Sequence, residues 1–484
     1  MTPSKDLKIG NVPEKRKEGF MNTLKNVTEN STENRKENTA MKELKKVTEN
    51  RVSSRKENTA MNTRKKTAEK SVKCEESYRI LAKDVMVSND MEKTKKNNHD
   101  LIVGGSCAGK TGGYVTPNIL LADSSMVIVD TKGLLYNRYC KYLKKKGFRV
   151  ENIDFVNPSQ SCIYNPLDFV RKTTDKDGNV IYRQQDLKTI ANVLIPDNLD
   201  KEEKFWVTSA RNVLISLMAY VIEEMEPSEC NMCTVARLYL MMGNSGKSHD
   251  GFFELLRSEK PNSFAVAMYD TYKDTYLSEK TWSCIKQFVS LSLDPFIYDD
   301  LKVMFDGKST LDFADIGRKK TVLFVNISDV DRSMDQVVDV FYQQMFQRLV
   351  QEADGRPEKI LPIPVRIIMD DFAANFNIPN FDGLISVIRS RHIFVSLILQ
   401  SLSQLEGIYT PAEAKTIINN CDFKVFIGSQ DPDTARYIGD MAGCVPEKIS
   451  NQMKADDVCV IIKGEEAKFT KAIPPYSMDI EMGV

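Results

Sequence analysis

Short runs of apolar residues alternate with stretches of helical periodicity through most of the chain, beginning near Tyr78. The runs are continuously apolar rather than alternately apolar and polar, which is typical of strands that helices cover on both faces. Helices between successive strands imply crossover connections, and therefore a mainly parallel sheet in an α/β fold. Seven runs are predicted to be strands: residues 101–105, 126–130, 149–155, 321–326, 365–370, 393–399 and 424–428.

Residues 184–295 depart from this rhythm, because they carry helical patterns and no strong strand signal. The patterns run over residues 205–225, 262–275 and 279–293. We predict that residues 184–295 form an all-helical domain, inserted into a sheet domain made of residues 78–183 and 296–484. Seven side chains of the first pattern share one helical face and are expected to be core rather than a cofactor site: Trp206, Ala210, Val213, Leu214, Leu217, Met218 and Val221.

The first part of the chain contains a 20-residue repeat. Residues 21–40 recur with changes as residues 41–60, and a third copy begins at residue 61. Each copy holds few apolar side chains, so it cannot bury enough area to offset the entropy lost on ordering. We therefore predict that residues 1–77 are a disordered or transiently helical tail.

Charge is unevenly distributed, although the formal net charge of the 484 residues is zero. Residues 1–72 contain 18 Lys and Arg against 10 Asp and Glu, a surplus of eight positive charges that the rest of the chain balances. A basic arm on an acidic body indicates an interaction tail for DNA, lipid headgroups or a partner protein. It argues against a body coated with static DNA-binding charge.

Cysteine and apolar content argue against a zinc site and against a membrane span. Ten cysteines are scattered, and only Cys230 and Cys233 form a CxxC, with three histidines at His99, His249 and His392. Reduced thiols in a reducing compartment fit this pattern better than a four-ligand metal site. The longest apolar stretches, residues 212–222 and 394–399, are shorter than the ~20 residues that cross a bilayer, and we expect no signal peptide.

Residues 104–111, GGSCAGKT, match the pattern G-x-x-x-x-G-K-[ST] between an apolar run and a plausible helix. This is the context that a phosphate-binding loop requires, because its backbone N–H groups must converge on phosphate oxygens. Lys110 is expected to reach the β- and γ-phosphates of ATP, and Thr111 to ligate Mg²⁺. The Cys107 thiol either packs in the loop or is sensitive to oxidation. The predicted nucleotide contacts are Gly104, Gly105, Ser106, Cys107, Ala108, Gly109, Lys110 and Thr111.

A second motif, VRIIMDDF at residues 365–372, is an apolar run that ends in paired acids. A phosphate loop needs such a strand, because a carboxylate must hold the Mg²⁺ shell and another must polarise the attacking water. We predict the first role for Asp370 and the second for Asp371.

Further polar residues lie at the ends of predicted strands. Gln400 directly follows the run at 393–399, at the carboxyl edge where ligands bind to such sheets. It either hydrogen-bonds the γ-phosphate or the attacking water, or is an ordinary surface residue. Arg389 and Arg391 either supply positive charge to the transition state or form a solvated helix end. Asp130 and Lys132 also follow a strand, and their chemistry alone does not define their role.

Taken in order, GGSCAGKT, VIVDTKG, RIIMDDF, NFDGLISVIRSRHIFVSLILQSLSQL and NNCDFKVFIG resemble the coupling proteins of type IV secretion systems, which are conjugative DNA-transfer ATPases. The resemblance covers about residues 97–475. It implies a RecA-like nucleotide-binding domain with an all-helical insert between the phosphate loop and the acidic strand. It also implies a hexameric ring that delivers a relaxase-bound single strand of DNA to the channel and consumes ATP. The D-x-K motif shared with chromosome-segregation translocases matches Asp130 and Lys132.

Two departures from the family pattern affect these expectations. Members usually begin with transmembrane helices, where this sequence has the polar repeat. We therefore expect peripheral attachment at the inner face of the membrane, either through a channel or anchor partner or through the basic arm. Many members have Glu at the position of Asp371, whose side chain is one methylene shorter, which puts the turnover rate in doubt. Two alternatives stay open: a DNA translocase unconnected to secretion, and a weakly hydrolysing nucleotide-binding adaptor.

Overall fold

A computed structural model of the chain describes residues 77–176, 178, 180–197, 203–242, 250–454 and 456–482. The predicted tail and its repeats lie outside the described residues, apart from residue 77. The strands are β1 Tyr78–Ala82, β2 Val85–Ser88, β3 Asp100–Gly104, β4 Ser125–Asp130, β5 Arg149–Asp154, β6 Lys172–Thr174, β7 Val180–Tyr182, β8 Thr321–Asn326, β9 Val365–Met369, β10 Ile393–Leu399, β11 Phe423–Gly428, β12 Asp457–Ile462 and β13 Lys468–Lys471.

Helices connect most of these strands. The α-helices are α1 Met91–Thr94, α2 Thr116–Leu121, α3 Leu135–Lys145, α4 Gln184–Leu194, α5 Lys204–Glu224, α6 Met232–Met241, α7 Asp250–Glu259, α8 Phe264–Asp270, α9 Glu279–Ile297, α10 Lys302–Phe305, α11 Phe313–Arg318, α12 Asp335–Asp354, α13 Phe372–Asn375, α14 Phe381–Ile388, α15 Ser403–Glu406, α16 Pro411–Asn419, α17 Pro432–Ala442 and α18 Ser477–Met482. Short 3₁₀ segments are Pro158–Gln160, Pro166–Phe169, Lys273–Leu277 and Arg389–Arg391, and π-helical turns are Thr111–Val115 and Lys448–Gln452.

Nine strands form the main sheet, in the order β13-β12-β11-β3-β10-β9-β4-β8-β5. The seven strands from β11 to β5 are parallel, whereas β12 and β13 are antiparallel additions at one edge. Those seven are the strands that the sequence predicts, with bounds that differ by one residue or less. The prediction of a mainly parallel sheet is therefore confirmed.

The sheet is buried on both faces, which explains its continuously apolar strands. All five residues of β3 and all seven of β10 are buried. One face packs against the helices that follow the phosphate loop, through Val115, Ile119 and Tyr139, among others. Fully burying a Val or Ile side chain stabilises the fold by about 1.5–3 kcal/mol.

The described residues between Gln184 and Ile297 form helices, in agreement with the pattern there, although the division into domains stays a prediction. Six of the seven side chains predicted to be core in α5 are buried, and Trp206 is only half-buried; the burial also extends beyond that face, to every residue from Val213 to Val221. This helix is long and apolar enough to cross a membrane, with a mean hydropathy of 1.4, but 67% of the apolar window is buried inside the protein. A buried core helix passes the same test of length and hydropathy.

Candidate nucleotide site

The phosphate loop begins where β3 ends, in the middle of the sheet. Glycine fits closely at position 104, because a Cβ there would lie 3.3 Å from side-chain atoms of Ala108, Lys110 and Ile427. Gly109 has a φ of 80° and Cys107 a φ of 61°, so the chain turns twice through the left-handed region. Such turns direct successive backbone N–H groups towards one point, as an anion site requires.

Lys110 folds back over this loop. Its Nζ donates hydrogen bonds to the carbonyl oxygens of Gly104, at 2.8 Å, and Gly105, at 3.1 Å. The same Nζ lies 3.9 Å from Oδ1 of Asp371, and the Lys110 side chain is only 9% exposed. The ammonium group is therefore held at the mouth of the loop, next to the acidic strand.

The acidic pair follows β9, which is separated from β3 by β10 alone. Asp370 is buried, and its Oδ2 accepts a hydrogen bond of 2.7 Å from Oγ1 of Thr111. Burial raises the pKa of Asp370; the Thr111 hydrogen bond opposes this rise, and the negative charge of Asp371 adds to it. A carboxylate in this setting is stabilised by a cation beside it.

Asp371 is the more open member of the pair, with a side chain that is 33% exposed. Its φ of 47° is unusual for a residue other than glycine, although Asp and Asn tolerate it best. Gln400, at the carboxyl end of β10, directs its Nε2 to Oδ1 of Asp371 at 3.4 Å. Lys110, Asp371 and Gln400 thus converge on one point at the carboxyl edge.

Asp130 is the last residue of β4, the neighbour of β9, and Lys132 lies two residues further along the chain. Both carboxylate oxygens of Asp130 accept backbone N–H groups at the start of α3, from Leu134 at 3.1 Å and Leu135 at 2.7 Å, among others. Burial raises the pKa of Asp130, and these hydrogen bonds oppose the rise. The observed function of Asp130 is to cap α3, while Lys132 is exposed. A contact of either with nucleotide stays a prediction.

Arg389 and Arg391 lie at the opposite edge of the sheet, where β10 begins. At about 3.3 Å per residue, the seven-residue strand separates them from Gln400 by roughly 20 Å. Arg391 is held by both carboxylate oxygens of Asp354, at 2.8 and 3.1 Å, whereas Arg389 is exposed. The structure therefore does not bring the two arginines to the phosphate loop of their own chain.

Asn375, a buried residue of α13 that was not predicted from the sequence, supports the acidic strand. Its Nδ2 donates to the carbonyl oxygen of Asp370 at 3.4 Å, and its Oδ1 accepts from Nη1 of Arg332 at 3.1 Å. Asn375 thus links the loop after β8 to the backbone of the acidic pair.

A buried ionic cluster under the phosphate loop was likewise not predicted from the sequence. Asp100, at the start of β3, pairs with Arg79 at 2.9 Å and Arg366 at 2.8 Å, and accepts the hydroxyl of Tyr114 at 2.7 Å. Tyr114 belongs to the helical turn after the loop, so the cluster ties that turn to strands β3 and β9. Charged residues inside otherwise apolar strands were the available signal, because buried charges are usually paired.

A protein-family model and several known proteins match this chain. The family model described as Type IV secretory system Conjugative DNA transfer matches residues 43–457. Protein VirD4 of Agrobacterium fabrum is 24% identical over 351 residues, which is 71% of this chain and 49% of that protein. The type IV secretion system-coupling protein VirD4 of Bartonella quintana is 23% identical over 380 residues, 74% of this chain and 55% of that protein. The chain therefore spans about half the length of the curated relatives it matches.

Solved structures share the fold. The unbound monoclinic form of the bacterial conjugative coupling protein TrwBdeltaN70 has a TM-score of 0.59 at 16% identity, and the match covers 82% of this chain and 88% of that one. Plasmid coupling protein TrwB in complex with ADP and Mg²⁺ has a TM-score of 0.56 at 16% identity, with 79% and 86% covered. The RecA-like fold prediction is confirmed. Since the family model also matches most of the sequence, this chain belongs to the type IV secretory system conjugative DNA transfer family.

Proposed function

We propose that the chain is an ATP-hydrolysing coupling protein, which recruits DNA with its bound relaxase and drives it into a type IV secretion channel. One observation carries this proposal: in a chain of this family, five polar residues from the phosphate loop and from the ends of β9 and β10 meet at one sheet edge, namely Lys110, Thr111, Asp370, Asp371 and Gln400. The complex of TrwB with ADP and Mg²⁺ supports the choice of ligand.

The phosphate loop would bind the phosphates of ATP. The backbone N–H groups of residues 104–111 would face the phosphates, at the start of a helical segment whose dipole favours an anion. Lys110 would exchange its loop carbonyls for the β- and γ-phosphate oxygens, a change of partner that its flexible side chain permits.

A divalent cation fits the residues beside the loop. Mg²⁺ prefers hydroxyl and carboxylate oxygens, and the Thr111 hydroxyl and Asp370 carboxylate, 2.7 Å apart, are such a pair. The raised pKa of Asp370 fits the same use, because a cation would favour its charged form. When bound, Mg²⁺ would neutralise phosphate charge.

Asp371 and Gln400 would carry out the hydrolysis step. Asp371 would accept a proton from the attacking water, and Gln400, 3.4 Å from it, would orient that water or contact the γ-phosphate. Arg389 would act on the site of a neighbouring subunit, since its own loop is out of reach. This role requires a homo-oligomer, and we propose a hexameric ring.

The other parts of the chain would connect this reaction to transfer. We propose a RecA-like nucleotide-binding domain, residues 78–183 and 296–484, with an all-helical insert at residues 184–295. The basic residues of the tail, residues 1–77, would contact DNA, anionic lipid or a partner. We propose that the protein works in the cytoplasm at the inner face of the membrane, in contact with the channel or a membrane-anchor protein.

One observation favours a second candidate, a nucleotide-binding adaptor that hardly hydrolyses. Asp371 stands where many members have Glu, and its carboxylate is already engaged by Lys110 and Gln400. An adaptor would bind ATP and recruit cargo, but turnover would stay near background.

A mating assay tests the proposed function in cells. Donors that carry only Lys110→Ala should transfer DNA at background frequency, and the wild-type chain should restore transfer. Wild-type transfer frequency in these donors, with the variant present at normal abundance, would exclude an ATP-driven role. Measuring hydrolysis by the purified protein distinguishes the adaptor, whose turnover would stay near background.

A further inference from the structure

The end of the described chain crosses the phosphate-loop helix. A Cβ on Gly112 would lie 2.6 Å from Cβ of Pro475, and one on Gly113 would lie 3.1 Å from the carbonyl oxygen of Ile473. A Cβ on Gly109 would lie 3.7 Å from Cγ of Pro475. Residues 473–479, which we name the C-terminal strap, therefore pack directly on the first turn after the loop, and the glycines there make room for it.

The strap is held in place by α3. Asp479 is buried, accepts the hydroxyl of Tyr139 at 3.0 Å and forms an ion pair with Arg138. The guanidinium of Arg138 also lies 4.3 Å from the centre of the Tyr476 ring. These contacts fix the strap against the helix pair that flanks the loop.

Tyr476 has an unusual backbone for a large aromatic residue, with a φ of 58°. A left-handed conformation costs free energy for such residues and persists where the surroundings impose it, often at ligand sites. The Tyr476 side chain is packed by Arg138 and yet the residue is 38% exposed. An aromatic surface thus stays open to solvent beside the loop.

The position of the strap defines what it could contact. In a phosphate loop, the N–H groups of the first helical turn face the phosphates. The nucleoside must then leave the loop next to that turn, where Pro475 rests on Gly112. We propose that the C-terminal strap is the nucleoside wall of the site, with Tyr476 stacking on the base and Pro475 bordering the sugar. This inference rests on the proposed nucleotide site.

Calorimetric titration of the full chain with MgATP and with magnesium tripolyphosphate tests the inference, because the second probe lacks base and sugar. The test variant is Tyr476→Asn, since Asn tolerates the left-handed backbone. Tyr476→Phe keeps the ring, and Tyr298→Asn removes an exposed aromatic residue that directly follows α9. Loss of base stacking should weaken MgATP binding by Tyr476→Asn roughly 5- to 100-fold, with tripolyphosphate binding unchanged and both controls at wild-type affinity.

Three results would overturn the inference, and they differ from one another. Unchanged MgATP affinity in Tyr476→Asn would show that the ring does not contact the base. An equal loss for both probes would show that the strap only supports the loop. Failure of the wild-type chain to bind either probe would reject the nucleotide site itself, and the proposed function with it.

Discussion

Oγ1 of Thr111 donates a hydrogen bond of 2.7 Å to Oδ2 of Asp370, although 259 positions separate the two residues in the chain. The contact forms because β3 and β9 both flank β10, and their carboxyl ends meet at the same sheet edge. The phosphate-loop motif and the acidic-strand motif are thereby brought together in one site.

The first prediction concerns Asp371 as the residue that activates water. Asp371→Asn keeps the shape and suits the φ of 47°, but it cannot accept a proton. We expect hydrolysis to fall roughly 100-fold or more, while the affinity for MgATP changes little. Steady-state hydrolysis and calorimetry measure the two effects. Wild-type turnover in Asp371→Asn would assign water activation to another residue.

The second prediction concerns Arg389 as a residue that acts across a subunit boundary. Arg389→Ala and Lys110→Ala subunits should each be nearly inactive, because one lacks the arginine and the other the phosphate-binding lysine. Mixed assemblies should recover hydrolysis, since an intact Arg389 can then face an intact loop. Arginines supplied in trans contribute ~10³–10⁵ in rate in other phosphate-loop enzymes.

Arg391→Ala is the matched control for that mixture. Asp354 holds Arg391 through two hydrogen bonds, so we expect its loss to leave most of the hydrolysis intact. If Arg389→Ala and Lys110→Ala subunits assemble together and no activity returns at any ratio, the role of Arg389 in trans must be abandoned.

The third prediction is a pH dependence of stability that Asp339 causes. Burial raises the pKa of Asp339 from 3.8 to about 7, while the backbone N–H of Asn377 lowers it. Between these values the unfolded chain releases a proton that the folded chain keeps, so the folded state loses stability as pH rises towards 7. Asp339→Asn does not ionise and should gain about 2–3 kcal/mol relative to wild type between pH 5 and pH 8.

Denaturant unfolding at the two pH values measures this difference. Asn can still accept the hydrogen bond from Asn377, at 3.2 Å in the wild type. The control is Asp331→Asn, because Asp331 is exposed and should give no such gain. An equal stability difference at both pH values would show that Asp339 is charged in the folded protein.

The fourth prediction concerns the basic tail. Deletion of residues 1–72 removes the surplus of eight positive charges and should leave basal hydrolysis intact but reduce transfer between cells. Binding through such an arm should weaken with added salt. Loss of basal hydrolysis in the truncated chain would place the start of the catalytic part before residue 73.

The sequence predicted the central sheet and the main motif residues because both depend on local pattern. Seven parallel strands are buried on both faces, so their apolar runs are unambiguous. The hairpins β1–β2 and β6–β7 and the edge strands β12 and β13 were missed. Most of these strands are short or exposed, and burial leaves little pattern in them.

Residues whose role depends on tertiary contacts could not be predicted from the sequence. Asn375 is recognised only by its hydrogen bond to the Asp370 carbonyl, and Pro475 only by its contact with Gly112. Asp130 shows the opposite case, since its position after a strand indicated chemistry and the structure shows a helix cap. Position at a sheet edge identifies candidates, and only the contacts distinguish their roles.

Hydrolysis of MgATP by the purified 484-residue chain, with and without single-stranded DNA, tests the central claim most directly. For the wild-type chain we predict measurable turnover that single-stranded DNA stimulates. For Lys110→Ala we predict background turnover under both conditions, with the circular dichroism spectrum of the wild type. Wild-type turnover that equals that of Lys110→Ala, with and without DNA, would contradict it and leave the nucleotide-binding adaptor as the function.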